Sequence, residues 1–486
     1  MIKKEVIDKE VDLSDHLVIL GSGLNAISAI YGITDNLDDN IKKIYVIDAG
    51  LTKDNSLIVA KKDCDIKMPS PKFKIQANHY VYNSFRSMLN ITSQGFEAIG
   101  SLAKGGLSNI WGATIQPYSN KELSEFPYNY EDVKDIYTRI YQILIGSRRK
   151  LLVKKEIKHG QFIISDPLLA INSRGNNSDY CHLKSCGEGC INCNKNIFNS
   201  KDAIDNFINL NKIEYLPGLF IKSILMEDGF YFIKCMELSS DKIVLIKASI
   251  IYCCLGAIST SKIVLSMSRN TSEAPLLSTP GGSFFLFSFR NFHKKNHSIL
   301  SSKSFTGSEE AGNYEGNIFP FSKNLICTYF GEFLGGIINF IFRKVLFSRL
   351  FIANIYFDSD MSSSIIACKN DRLIINSRTP VILKLFFKKT MGLIRKEFFS
   401  EGLLVVPFSE KLLAPGQDIH YGGSIPMKKN PQKSQCNFNG ELEGFKDFYI
   451  ADASSMPFLA SKGQSFNSMV NAYYITSKSV KAQTQD

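Results

Sequence analysis

The sequence predicts an α/β protein that joins a doubly wound, Rossmann-like lobe to a second lobe built on an antiparallel sheet. Three observations predict it. A short apolar strand at residues 16–20 runs directly into a glycine-rich turn and an apolar helical stretch, the order of a dinucleotide-binding unit. Apolar runs typical of buried strands recur near residue 250 and at residues 448–451. Residues 352–357 and 364–377 read as strands of an antiparallel sheet, with a turn in the second run.

Length and composition support a folded protein with more than one lobe. The chain has 486 residues, which is too long for one simple core. Hydrophobic residues make up 44% and charged residues 21%, as in a globular protein. The formal net charge of +11 favours anionic partners. The basic residues are spread along the chain without a long Lys/Arg run, so we expect no binding to nucleic acid.

The glycine-rich turn reads Gly-Ser-Gly-Leu-Asn-Ala and follows the pattern G-x-G-x-x-A. Gly21 allows the tight turn, Gly23 lets the backbone approach a pyrophosphate, and Ala26 allows close packing of the helix. A second strand at residues 43–47 ends in Asp48, whose carboxylate can accept hydrogen bonds from ribose hydroxyls. These residues predict a dinucleotide site, against the alternative of an ordinary glycine turn.

Three further blocks, in this order along the chain, resemble those of the glucose–methanol–choline (GMC) oxidoreductase family. Within the family, the blocks most resemble those of bacterial members that are associated with polysaccharide biosynthesis. The blocks are KGGLSNIWGA at residues 104–113, IIYCCLGAISTSKIVL at 250–265, and a C-terminal block that runs from HYGGSIPM at 420–427 through FYIADAS at 448–454 to Asn471 and Ala472.

The resemblance implies that the Rossmann-like lobe binds FAD. It places Asp452 near the phosphates or the ribityl chain, and it places Ser465 in the first turn of a helix whose N-terminus faces the flavin. Members with a covalent flavin carry a histidine where this chain has Ile110, so we expect non-covalent FAD. In the second glycine-rich block, the residues that it assigns to the cofactor are Gly105, Gly106, Ser108 and Asn109.

The resemblance also assigns catalysis. His420 occupies the position of the family's histidine, and a histidine that titrates near neutrality suits a base for the alcohol proton. The alternative is a histidine that only satisfies loop hydrogen bonds. The family's second active-site residue, a His or Asn, falls on Gly463, which has no side chain to donate. The adjacent Gln464 is the candidate substitute, and Asn467 is another.

The leading hypothesis is therefore oxidation of an alcohol on a sugar, a nucleotide sugar or a lipid-linked glycan. Only one dinucleotide fingerprint is present, so electrons would leave the flavin to oxygen, a quinone or a partner protein. The competing hypothesis is a flavin-binding structural or electron-transfer protein without alcohol chemistry, which the glycine at position 463 supports. A flavin-independent NAD dehydrogenase is disfavoured by the C-terminal block.

Four cysteines cluster with the spacing C-x4-C-x3-C-x2-C. Four close thiolates can hold one zinc ion, and an iron–sulfur cluster uses the same ligands. Zinc, iron–sulfur and no metal all remain open, and Cys253 and Cys254 are interpreted as core residues. The cluster consists of Cys181, Cys186, Cys190 and Cys193.

Two apolar stretches also carry basic residues. Residues 330–357 form one and residues 383–399 the other, and neither gives an uninterrupted run long enough to span a bilayer. We interpret them as buried helices with solvated charges or, alternatively, as an interfacial patch on an anionic membrane. Residues 1–15 hold no apolar segment typical of a signal peptide. We therefore expect a cytoplasmic protein, which the patch would bring to the inner face of the membrane.

The expected domain division is discontinuous. The FAD-binding domain comprises residues 1–120, 200–280 and 415–486. The substrate domain comprises residues 121–199, with the cysteine cluster, and 281–414. Residues 120–144 are expected to be helical, and a turn is expected at Asn370 and Asp371.

Overall fold

The structure is a computed structural model that describes most of the chain. The described residues are 7–37, 42–53, 79–82, 84–149, 151, 158–159, 162–171, 197–268, 273–289, 301, 303–309, 312–320 and 349–483.

Most of the described residues belong to helices and strands or to the turns that connect them. The helices are α1 Leu24–Thr34, α2 His79–Tyr82, α3 Phe85–Met88, α4 Tyr130–Ile145, α5 Ser200–Asn209, α6 Ala257–Met267, α7 Val381–Ser400 and α8 Gln464–Gln483. The strands are β1 Lys9–Leu20, β2 Ile44–Ile47, β3 Ile91–Gln94, β4 Lys158–His159, β5 Phe162–Ser165, β6 Glu214–Leu216, β7 Leu219–Glu227, β8 Phe230–Glu237, β9 Ile243–Cys253, β10 Glu273–Ser278, β11 Gly281–Ser288, β12 Lys303–Glu309, β13 Gly312–Pro320, β14 Leu350–Phe357, β15 Ser364–Lys369, β16 Arg372–Ser377, β17 Leu403–Val405, β18 Lys411–Leu412, β19 Tyr421–Gly422 and β20 Phe448–Ile450.

The first sheet confirms the predicted doubly wound lobe. Strands β6, β2, β1, β9 and β20 are parallel in that order, and β8 and β7 extend the sheet antiparallel from β9. Leu20 at the end of β1 pairs with Ile47 on one side and Cys253 on the other. The carboxyl ends of these strands therefore meet at one edge, where ligands bind in open α/β sheets.

Helix α4 begins later than the sequence suggested. The prediction of helix from residue 120 was wrong for its first ten residues, because Asn129 caps the helix and forms a capping box with Asp132. Gly146 closes the other end in the left-handed conformation, with φ of 60°. The apolar stripe packs into the same core as α1 and α8, through Val133 and Tyr137.

The remaining strands form two sheets rather than one. The predicted strand runs at residues 352–357 and 364–377 were expected in a single antiparallel sheet, and this was wrong. Strand β14 belongs to the sheet ordered β17–β11–β14–β13–β12–β5–β4, whereas β15 and β16 form a hairpin in the sheet ordered β19–β10–β15–β16–β3. The predicted turn is confirmed, since Asn370 and Asp371 have φ of 50° and 60°, as a tight hairpin requires.

Helix α7 covers one face of the β14 sheet. Leu383, Phe386 and Phe398 are buried against strands that include β11, β12 and β14. The apolar stretch at residues 383–399 is therefore a packed helix, in agreement with one of its two interpretations. Within the described part of the chain, no helix has the length and apolar character that crossing a bilayer requires.

Candidate active site

A cleft opens at the carboxyl edge of the parallel sheet. Its empty space, open solvent included, is about 1250 Å³. Of the residues that the sequence proposed for the cofactor or for catalysis, seven line this cleft. They are Gly21, Gly23, Asp48, Gly106, Ser108, Gln464 and Ser465.

The two glycines of the first glycine turn are needed for different reasons. Gly21 has φ of +95°, and an added Cβ atom would lie 2.7 Å from the carbonyl oxygen of Cys254, so only glycine fits the turn. Gly23 has ordinary backbone angles, and an added Cβ atom would meet no protein atom within 4 Å. The space in front of Gly23 faces Gly106, whose own Cβ would lie 3.5 Å from the Gly23 Cα. The two glycines leave a cradle for a ligand.

Two helix N-termini at the cleft have no side-chain cap in the described residues. Helix α1 starts from Gly23 and helix α6 from Gly256, and neither receives a side-chain hydrogen bond at its first turn. Their first backbone N–H groups are therefore free to bind an anion, and the helix dipole favours negative charge there. Open cradle and free N–H groups together fit the diphosphate of a dinucleotide such as FAD.

Asp48 lies buried at the end of β2. Its Oδ2 atom accepts hydrogen bonds from Ser22 and from Tyr215, the latter at 3.0 Å. Burial raises the pKa of Asp48 to about 6, so the carboxylate is ionised at neutral pH and can accept hydrogen bonds from a ribose. Ser22 Oγ also accepts from the backbone N–H of Gly105 at 2.9 Å. This contact joins the first glycine turn to the second.

The second glycine-rich block is shaped by its own polar side chains. Gly105 has φ of +83° and starts a short 3₁₀ helix, Gly106–Asn109. Ser108 Oγ donates to the carbonyl oxygen of Gly105 at 2.6 Å. The Asn109 amide donates to the carbonyl oxygen of Gly106 at 2.8 Å. The structure therefore gives Gly105 and Asn109 a part in forming the loop, while Gly106 and Ser108 line the cleft.

Ala26 and Asp452 are buried rather than exposed to the cleft. Ala26 packs in the core of the parallel sheet. The Asp452 carboxylate accepts hydrogen bonds from Gly256 N at 2.8 Å, Thr260 Oγ1 at 2.6 Å and Ser454 N at 2.8 Å. Its hydrogen bonds thus lie within the protein, and Asp452 acts on the cleft through the glycine turn that starts α6.

His420 lies between Ile419 and Tyr421, which both line the cleft, while His420 itself is set back from the lining. Its Nδ1 atom lies 3.0 Å from Thr279 Oγ1. Asp418 accepts the backbone N–H of Thr279 at 3.0 Å and lies 3.4 Å from the Thr279 hydroxyl. The three side chains form a chain of polar contacts that fixes one edge of the imidazole ring and leaves Nε2 outside this chain.

The surroundings keep the imidazole neutral. Tyr356 of β14 packs against the His420 ring with centroids 5.1 Å apart. Loss of water around the ring lowers the pKa of His420 to about 4. This value lies below the near-neutral titration that the sequence led us to expect. A neutral ring can accept a proton at pH 7, as a base must. Burial raises the pKa of Asp418 to about 7.

The two candidate substitutes for the missing second residue differ in their surroundings. Gln464 lines the cleft and donates from Nε2 to the carbonyl oxygen of Tyr421 at 2.9 Å. Its buried Oε1 atom has no hydrogen-bond partner among the described residues. Asn467 is buried and accepts from Tyr118 N at 2.9 Å and from Tyr137 Oη at 2.6 Å. Asn467 is thus a structural residue, and of the two only Gln464 borders the cleft.

A second cavity lies beside the segment that precedes Gln464. Lys462 donates to Glu122 at 2.8 Å, and Glu315 of β13 is buried with the Gln116 amide against it. Burial raises the pKa of Glu315 to about 8. Glu315 pairs across the sheet with Tyr356, the ring that packs on His420. The cavity is therefore linked to the histidine through the cross-strand pair of Glu315 and Tyr356.

Cys181, Cys186, Cys190 and Cys193 lie outside the described residues, so the proposed metal site stays a prediction. Among the residues that the structure does place, no group of His, Cys, Asp or Glu has the arrangement of a metal site. Cys253 and Cys254 are buried in the core, as the sequence indicated, and burial raises the pKa of Cys253 to about 12.

Comparisons with known proteins show the fold. The structure is similar to pyridoxine 4-oxidase from Mesorbium loti, with TM-score 0.60, 11% identity, and 96% of this chain and 99% of that chain covered. It is similar to a variant of formate oxidase from Aspergillus oryzae RIB40 studied for FAD modification, with TM-score 0.64, 12% identity, and coverage of 99% and 100%. A further formate oxidase structure gives TM-score 0.65, 11% identity, and coverage of 98% and 99%.

These neighbours have the GMC oxidoreductase fold, which confirms the fold class predicted from the sequence. No protein-family model matches the chain. A search of curated protein sequences gives no match either.

Sequence reasoning missed several residues of the site. Thr279, Asp418 and Tyr356 surround the histidine, and Tyr215 contacts Asp48. None of them belongs to a short motif, since each comes from a separate strand or loop. A signal for them exists only in the tertiary structure.

Proposed function

We propose that the chain is an FAD-dependent oxidoreductase of the GMC type that oxidises a CH–OH group. The observation that supports it most is an anion-binding cleft together with a histidine whose two chain neighbours, Ile419 and Tyr421, line that cleft. Gly23, Gly106 and the N-termini of α1 and α6 suit the diphosphate of FAD. Asp48 suits the ribose, and the N-terminus of α8 at Gln464 suits the flavin.

FAD would supply, when bound, the hydride acceptor for the alcohol carbon. His420 Nε2 takes the proton of the alcohol hydroxyl, so the substrate leaves as a carbonyl compound after losing one hydride and one proton. The electrons then pass to an acceptor, for which oxygen, a quinone and a redox partner are the candidates. A positioned base of this kind contributes roughly 10²–10⁴ in rate.

Thr279 and Asp418 position the base in this proposal. When Asp418 is ionised, the Thr279 hydroxyl donates to it and accepts the Nδ1 hydrogen of His420. This arrangement fixes the tautomer in which Nε2 carries no hydrogen and can accept the proton. The same carboxylate stabilises the imidazolium once the proton has arrived.

We propose a hydroxyl-rich substrate, such as a sugar, a nucleotide sugar or a lipid-linked glycan. The second cavity supports this, because its lining residue Glu315 is the cross-strand partner of Tyr356, which packs on His420, and because it is lined by groups that bind hydroxyls. A neutral Glu315 can both donate and accept, and the ion pair of Lys462 with Glu122 offers further polar atoms. Neutral polar side chains complete the lining, namely Gln116, Ser119, Ser165, Thr306, Ser308, Asn313 and Ser461.

Other sequence expectations remain proposals. We propose that the four clustered cysteines hold zinc or an iron–sulfur cluster, that FAD is non-covalent because position 110 is isoleucine, and that the domain division falls as the sequence indicated. Placement with polysaccharide biosynthesis and in the cytoplasm rests on the sequence alone. Metal analysis of the purified chain, with Cys190→Ser/Cys193→Ser as the comparison, tests the first of these.

A second candidate function has specific support. Gly463 provides no donor, and the Gln464 amide is committed to the carbonyl oxygen of Tyr421. A flavoprotein that binds FAD for a structural or electron-transfer role, without oxidising alcohols, would retain the cleft. It would lack the second active-site residue that works with the histidine.

One experiment separates the two functions. The purified protein should show a flavin spectrum, and acid should release free FAD from the denatured chain. Under anaerobic conditions, the flavin absorbance should bleach when sugars, nucleotide sugars or glycolipids that the cavity accepts are added. A flavin spectrum that no member of the panel bleaches, although dithionite does, would favour the non-catalytic function. A colourless protein that binds no added FAD would contradict both.

A further inference from the structure

Helix α7 has an exposed face that the proposed oxidation does not use. Its inner face is apolar and packs on the β14 sheet through residues such as Phe386 and Phe398. The outer face also carries large apolar side chains, with Val381 72%, Leu385 61% and Phe399 62% exposed. Large exposed apolar groups that cluster on one surface usually mark a site of interaction.

The charges on this outer face have one sign. The exposed side chains of α7 include five basic residues and no acidic one, and Glu397, the single acid of the helix, is half-buried. An ordinary solvated helix face mixes both signs. The exposed basic residues are Lys384, Lys388, Lys389, Arg395 and Lys396.

The neighbouring turn extends this face. Phe408 lies between β17 and β18, is fully exposed, and has φ of +60°, a conformation that a bulky side chain rarely adopts. Glu410, two residues further on, forms a bidentate ion pair with Arg395. The Nε and Nη2 atoms of the arginine donate to the two carboxylate oxygens at 2.8 and 2.6 Å. This pair fixes the turn beside α7, so Phe408 is presented next to the helix.

The C-terminal end of the helix adds a further exposed ring. Phe289, at the end of β11, is half-exposed and lies edge-on to Phe399 with centroids 6.4 Å apart. We define the α7 face as the exposed apolar side chains of Val381, Ile382, Leu385, Leu393 and Phe399, with Phe289, Phe408 and the four exposed lysines of the helix. Arg395 is left out because it is paired with Glu410.

We propose that the α7 face binds the surface of an anionic lipid membrane, with its apolar side chains in the interfacial region and its basic side chains at the headgroups. Charge complementarity supports this occupant, because basic and apolar side chains on one helix face are the composition of interfacial helices. Long lysine side chains can lay their carbon stems on the apolar region while the ammonium reaches the phosphates. A second copy of the chain would bring two basic faces together and is disfavoured.

The test is flotation of the full-length chain with vesicles, which does not depend on any enzymatic activity. Vesicles of phosphatidylcholine with phosphatidylglycerol should carry the chain, vesicles of phosphatidylcholine alone should not, and 0.5 M salt should release most of it. Lys388→Glu/Lys389→Glu should reduce the bound fraction at least tenfold. The matched control, Lys429→Glu/Lys433→Glu, changes the net charge equally at exposed positions elsewhere and should bind as the wild type does.

A second pair of variants tests the apolar side chains of the α7 face. Leu385→Ser should reduce binding severalfold, whereas Leu225→Ser, at a leucine that is 63% exposed on β7, should not. Because both leucines are on the surface, neither change should unfold the chain, and circular dichroism checks this.

Three outcomes would overturn the proposal. They are no binding to either vesicle, equal binding to both vesicles, and equal losses for the α7 and control variants. The chain could also fail to bind vesicles and instead form a dimer that Leu385→Ser dissociates. In that case the partner of the α7 face would be a second copy of the chain and not a membrane.

Discussion

The two ends of the cleft are built in different ways. The nucleotide end is made by backbone atoms at the ends of adjacent parallel strands, around Gly21, Gly23 and Gly256. The reacting end is made by side chains from separate segments, with His420 held by Thr279 and Gln464 coming from α8. A site built from backbone has a local sequence signature and tolerates little change. In a site built from side chains, single substitutions can change the activity in small steps.

Gly23→Val tests the backbone-built end and should have the largest effect. Protein atoms leave the space in front of Gly23 open, and its backbone angles suit any residue. The variant should therefore fold and yet lose nearly all FAD, measured as the ratio of flavin to protein absorbance. Gly392→Val, at a helix position with equally open surroundings, should keep its FAD. Full occupancy in Gly23→Val would remove the cofactor site from this turn.

His420→Ala tests the side-chain end. FAD should stay bound, because backbone groups hold the phosphates. The rate of anaerobic flavin reduction should fall by roughly 10²–10⁴, or about 3–5 kcal/mol of barrier. Stopped-flow absorbance with a substrate found in the panel measures it. Reduction at the wild-type rate would leave the site without its base and favour the non-catalytic function.

Thr279→Val keeps the shape of the side chain and removes its hydroxyl. Losing the contact to His420 Nδ1 should slow flavin reduction roughly tenfold, the equivalent of one hydrogen bond of about 1.4 kcal/mol. Thr279→Ser keeps the hydroxyl and should react nearly as fast as the wild type. If the serine variant is as slow as the valine variant, then packing rather than the hydroxyl positions the histidine.

The pH dependence of flavin reduction should report both groups near the base. A histidine with a pKa of about 4 loses its proton as the pH rises through that value, so the rate should rise there rather than near 6.5. Ionisation of Asp418, with a pKa of about 7, should add a second rise. His420→Ala should abolish the acid limb, and Asp418→Asn should abolish the second rise. A single rise near 6.5 would show that water reaches the imidazole freely.

Gly463→Asn should have the smallest effect on the rate of flavin reduction, and it should increase that rate. An added Cβ atom would meet only the carbonyl oxygen of Thr114, at 3.4 Å, so a side chain fits there. A new donor beside the alcohol should raise the reduction rate on the order of 2- to 10-fold. Gly463→Ala, which adds no donor, should leave the rate unchanged. A slower Gly463→Asn enzyme would indicate that Gln464 already fills this place.

The sequence predicted the backbone-built end well, because its determinants are short-range. The strand before Gly21, the acid that ends β2 and the strand near residue 250 each follow from a few neighbouring residues. The side-chain end was less predictable. Thr279 and Asp418 carry no motif, and the low pKa of His420 comes from burial against Tyr356, which only packing produces.

Elements far from the motifs were placed less accurately for the same reason. Residues 120–128 have helical composition, but the cap at Asn129 starts α4 only at Tyr130. The strand runs on either side of residue 360 look alike in sequence, yet they join different sheets. Which sheet a strand joins depends on partners such as β10 and β13, which are distant in the chain.

The hydrogen bond between Ser468 and Asn25 has a consequence for biosynthesis. Both residues line the cleft, and they are 443 positions apart. A ribosome that adds 5–20 residues per second needs about 20–90 s to cover that distance. During this time the first glycine turn exists without helix α8 beside it. Stable loading of the cofactor should therefore follow release of the finished chain, and nascent chains stalled before residue 448 should remain free of flavin.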